Sequence, residues 1–357
     1  MKIALTITKE TESEILRKAP ECKNGHTIQV TDTKGQNISI VGAKKGGIEG
    51  GAIISLKNHR GIMSRASSST TETKYVAKVM FGDNNIQGSH YLASNAKSVL
   101  RSWWSRRTLE EINTSVVQEF AALKLAKILN PNIVPDAKLG CVKEDGGKER
   151  FFLMTKVAGQ KEGEKFETFD KASQAEVPKD IWQSAFAISV GLLNDQDVNK
   201  GDNIGVVFDA QESKRLCLFD LGHPTPDKFE LTPKTYLPQS TNLLADVLLW
   251  LINLFVSANN LPLTFTMVPD IEKQLSPQER KEALEMVLKK KGEIFQELDN
   301  MVKRPSSDHF SQQAILDLKN RIENRMAYLE NLLHPTTESG KHQTKSTVIR
   351  TNVPWFL

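Results

Sequence analysis

The chain changes its periodicity once, and that change limits the folds open to it. From residue 28 to about residue 80, apolar and polar residues alternate and glycine recurs, as in "ISIVGAKKGGIEGGAIISLKN" and "KYVAKVM". A period of two broken by glycine predicts short antiparallel strands joined by turns. After "GDNNIQGSH" the period becomes helical: "TSVVQEFAALKLAKIL" sets Val116, Val117, Phe120, Leu123, Leu125 and Ile128 at near-helical spacing. The two prolines of "NPNIVP" end that helix. "AKLGCVK", "EDGGK" and "ERFFLMTKV" then read as two strands around a tight turn.

Beyond residue 178 the chain reads as mostly helical, interrupted by "NIGVVFDAQESKRLCLFDLG", two apolar β-rich runs about a polar turn. A helix is predicted over "SPQERKEALEMVLKKKGEIFQELDNMV", with Ser276 as N-cap, Pro277 at its first position and Glu279 closing a capping box. The "KKK" within it reads as helix surface. A last helix covers "SQQAILDLKNRIENRMAYLENLL", and a polar tail follows. This order predicts an α+β chain with a bilobal, protein-kinase-like fold. The β-rich N-lobe with one inserted helix covers residues 1–157, a mainly helical C-lobe covers 158–334, and a tail covers 335–357.

Composition removes several alternatives. A length of 357 residues allows two lobes with a sizeable core, and 39% hydrophobic with 25% charged residues is an ordinary globular balance. A formal net charge of +4 is too mild for a dedicated nucleic-acid binder, so any anion site is local. Cys22, Cys141 and Cys217 lie far apart without C-x-x-C spacing, which argues against structural zinc and fits a reducing compartment. "MKIALTITKETESE" turns polar too soon for a secretory signal. The apolar run "LLADVLLWLINLF" is too short to span a bilayer, contains Asp246, and reads as a buried core helix. A soluble, cytoplasmic protein is expected.

Phosphoryl transfer from ATP needs a cation on the nucleotide phosphates, hard oxygen ligands for magnesium, and a carboxylate near the acceptor hydroxyl. "YVAKVM" supplies Lys78 among apolar residues on a strand, and "VQEFAALKLA" supplies Glu119 on the following helix. A lysine in an apolar strand is costly without a carboxylate. The alternative places Lys78 on a solvent-facing strand side and Glu119 on an exposed helix face. In "NDQDVNKGDNIGVV", Asp197 precedes Asn203, and "LCLFDLG" leads into Asp220, Leu221 and Gly222, a counterpart of the D-F-G metal motif. The first stretch also fits a polar loop or a calcium loop, although no bidentate glutamate follows at the required place.

The stretches "VQEFAALKLAKILNPNIVPDAKL" and "NDQDVNKGDNIGVV…LFDLGHP" resemble the corresponding passages of bacterial atypical kinases and, more distantly, of phosphoinositide kinases. The nearest association is with effector kinases that intracellular bacteria inject into host cells, a type that includes one activated by inositol hexakisphosphate. The resemblance covers about residues 38–255. It implies Lys78 on the ATP phosphates, Glu119 orienting that lysine, Asp197 as catalytic base, and Asn203 and Asp220 as ligands of magnesium (or manganese). Met154 and Lys156, on the strand that enters the connector, join the candidates for nucleotide contact. It further implies a protein or soluble acceptor and, for a translocated effector, the host cytosol.

Three departures leave alternatives open. The spacing from Asp197 to Asn203 is one residue longer than D-x-x-x-x-N, so Asp202 is a rival metal ligand. No His-Arg precedes Asp197, so Asp195 is a rival base. No G-x-G-x-x-G is present, and either "GAKKGGIEGG" or "HRGIMSRASSS" is available to cover phosphates through backbone N–H groups. "AKSVLRSWWSRR" gathers Lys97, Arg101, Arg106 and Arg107 ahead of the Glu119 helix, either as a site for an inositol polyphosphate or as a solvated helix face. Two other function classes stay in view: a phosphoinositide kinase, and a pseudokinase or kinase-fold transferase moving AMP. Against the lipid kinase, "GHPTPDKFELTPKTYLPQST" is balanced in charge, where a membrane-facing segment is basic.

Overall fold

The computed structural model describes residues 3–22, 26–31, 35, 37–43, 51–57, 72–78, 108–160, 164–169, 177–195, 203–209, 213–222, 224, 226, 271–303 and 309–334. Its strands in the first half are β1 (Ile3–Thr8), β2 (Ile28–Thr31), β3 (Asn37–Ala43), β4 (Gly51–Lys57), β5 (Glu72–Lys78), β6 (Ala137–Lys143) and β7 (Glu149–Lys156). They form one sheet in the order β1-β6-β7-β5-β4-β3-β2, antiparallel throughout except where β1 runs parallel to β6. One face is covered along the sheet and the other at β6 and β7, so those two strands carry apolar residues on both sides.

One face carries α1 (Lys9–Lys18), whose first turn is closed by the Thr8 hydroxyl accepting from the Thr11 N–H at 3.2 Å. Its Ile15 packs with Ile7, Ile40, Ile54 and Phe152 of the sheet beneath it. Buried Arg150 ties this layer together by pairing with buried Glu12 of α1 and with Glu144. Burial by itself pulls the Arg150 guanidinium down, but the two carboxylates pull it up by more, so the group stays charged.

The other face carries α2 (Leu109–Leu129), which opens with a capping box between Thr108 and Glu111 and ends at Asn130 before the predicted prolines. Asn113 of α2 fixes its register against β7. Its amide donates to the Glu149 carbonyl at 2.9 Å and accepts from the Phe151 N–H at 2.8 Å. Both are backbone groups beyond the last residue of β7 that pairs with β5.

The second half contributes a small antiparallel sheet, β8 (Lys165–Thr168), β9 (Ile204–Phe208) and β10 (Lys214–Leu218), in the order β10-β9-β8. Around it lie α3 (Lys179–Phe186), α4 (Pro277–Lys289), α5 (Lys291–Lys303) and α6 (His309–Leu333). A single core joins α2 to these helices through residues such as Phe120, Leu125, Ile188, Leu298 and Met326. The sheet-rich half and the helical half therefore share α2 as common ground, and the α+β bilobal class read from periodicity is the class observed.

Three details differ from the sequence reading. The strand β1 and helix α1 were not foreseen; β1 gains its partner only across 130 residues of chain, a pairing that local pattern does not reveal. The helix opened by Ser276 is two helices, broken at Lys290 (φ −92°, ψ 4°), so the lysine run marks a break and not a continuous face. The connector after β7 is followed at once by β8, which pairs with β9. Among the described residues no helix is long and apolar enough to cross a membrane. "LLADVLLWLINLF" lies outside the described residues.

Candidate functional site

Lys78 is the last residue of β5 and is buried, as is Glu119 in the middle of α2. The Lys78 ammonium donates to Glu119 Oε1 at 2.8 Å. It also lies 3.4 Å from Asp220 Oδ2 and donates to the Phe219 carbonyl at 3.3 Å. A strand, a helix and the segment after β10 thus converge on one cation. The solvent-facing alternative for Lys78 and Glu119 does not hold, because their side chains are 6% and 7% exposed.

Asp220 differs from its two partners: its side chain is 37% exposed. Of the two carboxylates it is the one that can reach a ligand, while Lys78, itself paired with Glu119, holds it from behind. One cation against two carboxylates leaves the group with a net negative charge, which suits an incoming metal cation. The donor set is also of the right kind, since hard oxygen ligands are what magnesium takes, and it commonly needs only one or two from protein. Among the described residues no group of three His, Cys, Asp or Glu side chains forms a closed metal site.

The backbone around Asp220 is pinned on both sides. The Leu218 N–H donates to the Ile133 carbonyl at 2.7 Å, and the Phe219 N–H donates to the Asn203 carbonyl at 3.2 Å. The β9–β10 register, with Ile204 opposite Leu218, continues into that bond and brings Asn203 and Asp220 to the same end of the hairpin. Gly222 follows in close quarters. A methyl group there would sit 3.1 Å from Asp220 Oδ1 and 3.5 Å from Glu119 Oε2, so the absence of a side chain lets the chain pass beside both carboxylates.

Sheet register resolves which glycine-rich stretch adjoins the site. Gly51 pairs with Lys78, and Ala43 pairs with Ala52, so the turn between β3 and β4 departs beside the lysine. Lys57 pairs with Glu72 at the opposite end of β5, about 20 Å away at roughly 3.3 Å per residue. The stretch "HRGIMSRASSS" follows that far end. Of the two stretches, it is "GAKKGGIEGG" whose described end, Gly51, pairs with Lys78.

Two candidates turn their side chains away from the Lys78 face. Lys78 pairs with Leu153, and the strand period of two puts Met154 on the other face. There it is wholly buried with Ile40, Ile54 and Ala77, closed to any ligand beside Lys78. Lys156 shares the Met154 face and lines a cavity of about 240 Å³ with Lys127, Asp136 and Arg215, a cavity that Lys78, Glu119 and Asp220 do not line. In that cavity Asp136 is held below the usual carboxylate range, chiefly by the hydrogen bond from Lys127.

Asp195 is described and is buried, with its N–H donating to the Ser189 carbonyl at 2.7 Å. The preceding residue, Asn194, has φ +46°, a left-handed position that asparagine tolerates at a helix end. Asp197, Asp202, Lys97, Arg101, Arg106 and Arg107 lie outside the described residues. The three cysteines are free thiols, and burial pushes Cys217 up to about 12, so it is inert at neutral pH.

Sequence reasoning missed the Phe219 carbonyl, Asn113 and the Asn194 turn. The last had a visible signal, an asparagine directly after an apolar helical run. The other two depend on which backbone groups the sheet leaves over.

The sequence matches no protein-family model and no curated protein. Among solved structures, the chain is similar to the Helicobacter pylori proinflammatory kinase CtkA at 12% identity, over 81% of this chain and 96% of that one, with a TM-score of 0.36.

Proposed function

We propose that this protein is an atypical kinase that transfers the γ-phosphate of ATP, with magnesium, to a protein or soluble acceptor. The observation that carries the reading is the buried Lys78 ammonium held between Glu119 of a helix and Asp220 at the end of a hairpin. A lysine wanted only for structure needs one carboxylate. A second, partly exposed one adjoining it has a use if a metal-bound polyphosphate sits beside the lysine.

In this reading Glu119 orients Lys78, and Lys78 holds the α- and β-phosphates. Asp220 and Asn203 hold the metal, with Asp202 as the alternative to Asn203. Asp197 accepts the proton of the acceptor hydroxyl as its oxygen bonds to the γ-phosphorus, while the bond from that phosphorus to the bridging oxygen of the β-phosphate breaks and ADP leaves. Magnesium, when bound, neutralises charge on the phosphate oxygens. The turn between β3 and β4 covers the phosphates through backbone N–H groups. Lys97, Arg101, Arg106 and Arg107 form the proposed inositol polyphosphate site, placed in sequence just ahead of the helix that carries Glu119.

The test is incubation of the purified protein with magnesium and ATP labelled at either the γ- or the α-phosphate, with and without inositol hexakisphosphate. Transfer of γ-label to the protein itself or to a generic protein acceptor is the expected result. Transfer of α-label points instead to AMP transfer. No transfer of either label, together with no thermal shift from ATP and metal, overturns the reading.

A further inference from the structure

The helix leading to the candidate base-and-metal loop does not end as an ordinary α-helix. After α3 the backbone widens into a π-helical segment, Ala187–Leu192. It closes with the Leu193 N–H donating to the Ile188 carbonyl at 3.0 Å and the Asp195 N–H donating to the Ser189 carbonyl. The last carbonyls of a helix have no partner in the helix itself, and here they point into the protein.

Arg325, wholly buried in α6, supplies partners for two of them. Its Nε donates to the Gly191 carbonyl at 2.9 Å and its Nη2 to the Val190 carbonyl at 2.5 Å. The guanidinium carbon also lies 5.5 Å from the centre of the Tyr328 ring. Burial pulls Arg325 down to about 10, which leaves it charged at neutral pH, and a cation at a helix C-terminus opposes the negative end of the helix dipole. From α4, Val287 and Leu284 press on the same segment: a methyl group at Gly191 would meet Val287 Cγ2 at 2.9 Å and Leu284 Cδ2 at 3.3 Å.

We infer that Arg325 is a positioning residue for phosphoryl transfer: through the Val190 and Gly191 carbonyls, it fixes the point at which the chain leaves the helix toward Asp197 and Asn203. This rests on the kinase reading above. Asp197 follows Gly191 by six positions in sequence, and the left-handed Asn194 and the buried Asp195 are the first residues beyond the helix end that Arg325 holds. A misplacement of about 1 Å at a reacting group costs roughly a hundredfold in rate. The carboxyl-terminal helices are thereby part of the catalytic unit.

The experiment compares Arg325→Met, Arg325→Lys and Leu329→Ala in the full chain. Leu329 is a buried residue one turn further along α6, so its truncation weakens the same helix while leaving the Arg325 guanidinium in the chain. For Arg325→Met, kcat is expected to fall between about tenfold and a hundredfold while KM for ATP stays within about twofold, because Lys78, Glu119 and Asp220 are untouched. Arg325→Lys recovers part of the loss, and Leu329→Ala keeps kcat near that of the parent. Unchanged kcat in a folded Arg325→Met, or in Arg325→Lys if the former does not fold, overturns the inference. So does an equal loss in Leu329→Ala.

Amide hydrogen exchange over residues 187–195 separates this inference from the kinase reading. Faster exchange there in the Arg325 variants and not in Lys78→Met shows that Arg325 holds the helix end, so that a parent transferring no phosphate then overturns the kinase reading and not the contact. Unchanged exchange in the Arg325 variants overturns that role whatever the activity.

Discussion

Lys78 and Glu119, 41 residues apart in sequence, meet at 2.8 Å with both side chains almost wholly buried. Their separation in sequence means that the pair exists only when α2 is docked on the sheet, so the site reports on the packing of the two halves. Removal of one partner leaves a charge in an apolar setting, and that asymmetry can be measured. Lys78→Met is expected to lower stability by about 3–5 kcal/mol and to abolish phosphate transfer. The double variant Lys78→Met, Glu119→Leu is expected to regain most of that stability without regaining activity. Chemical denaturation and γ-label transfer measure the two effects, and a double variant no more stable than the single one contradicts the account.

Asp220 is expected to matter to ligand and not to fold, since it is the exposed member of the three. Asp220→Asn keeps the shape of the side chain and removes its charge. Transfer is expected to drop at least about a hundredfold. The thermal shift produced by ATP with magnesium should shrink, while the melting temperature without ligand stays within a few degrees. A metal-dependent shift equal to that of the parent counts against Asp220 as a metal ligand.

Gly222 gives a finer test of the same corner. The methyl of Gly222→Ala would approach Asp220 Oδ1 to 3.1 Å, closer than most real contacts, while meeting Glu119 Oε2 at an ordinary 3.5 Å. The aspartate must yield by a few tenths of an ångström. Turnover is expected to fall about tenfold, a small displacement relative to the hundredfold that about 1 Å costs. Steady-state rates at saturating ATP read the effect, with circular dichroism confirming the fold.

Acid stability should carry a signature of the α4 capping box. Glu279 is lowered from its ordinary 4.5 to about 2, first by the Ser276 backbone N–H and then by Lys179. A carboxylate with a depressed value stabilises the fold above its unfolded value and loses that contribution as pH falls through the folded one. Between pH 4.5 and 2 the parent should therefore lose melting temperature faster than Glu279→Gln, which has nothing to protonate. Parallel curves for the two proteins across that window would remove Glu279 from the account of acid sensitivity.

The pieces most legible in the sequence were those whose cause is local. The α2 helix, its stop before Pro131, the strand pair around Gly146, and the capping box of Ser276 and Glu279 follow from periodicity, proline geometry and side-chain reach within a few residues. Lys78 and Glu119 were identifiable as partners because a buried lysine requires a carboxylate. The face to which Met154 and Lys156 turn their side chains was not legible, because proximity to the connector says nothing about it. That depends on register, and Leu153 opposite Lys78 fixes it.

The sequence by itself determined the α+β class and the order of the elements from β3 to the last helix in outline, since each rests on interactions spanning a few residues. Only the tertiary structure decided that the turn between β3 and β4, and not the stretch after β4, adjoins Lys78. It also decided that β1 enters the sheet beside β6, and that Arg325 reaches back to the helix end preceding Asn194. Those outcomes depend on strand register and helix docking across 130 or more residues, where no short-range preference acts and only the burial of the whole core chooses among the alternatives.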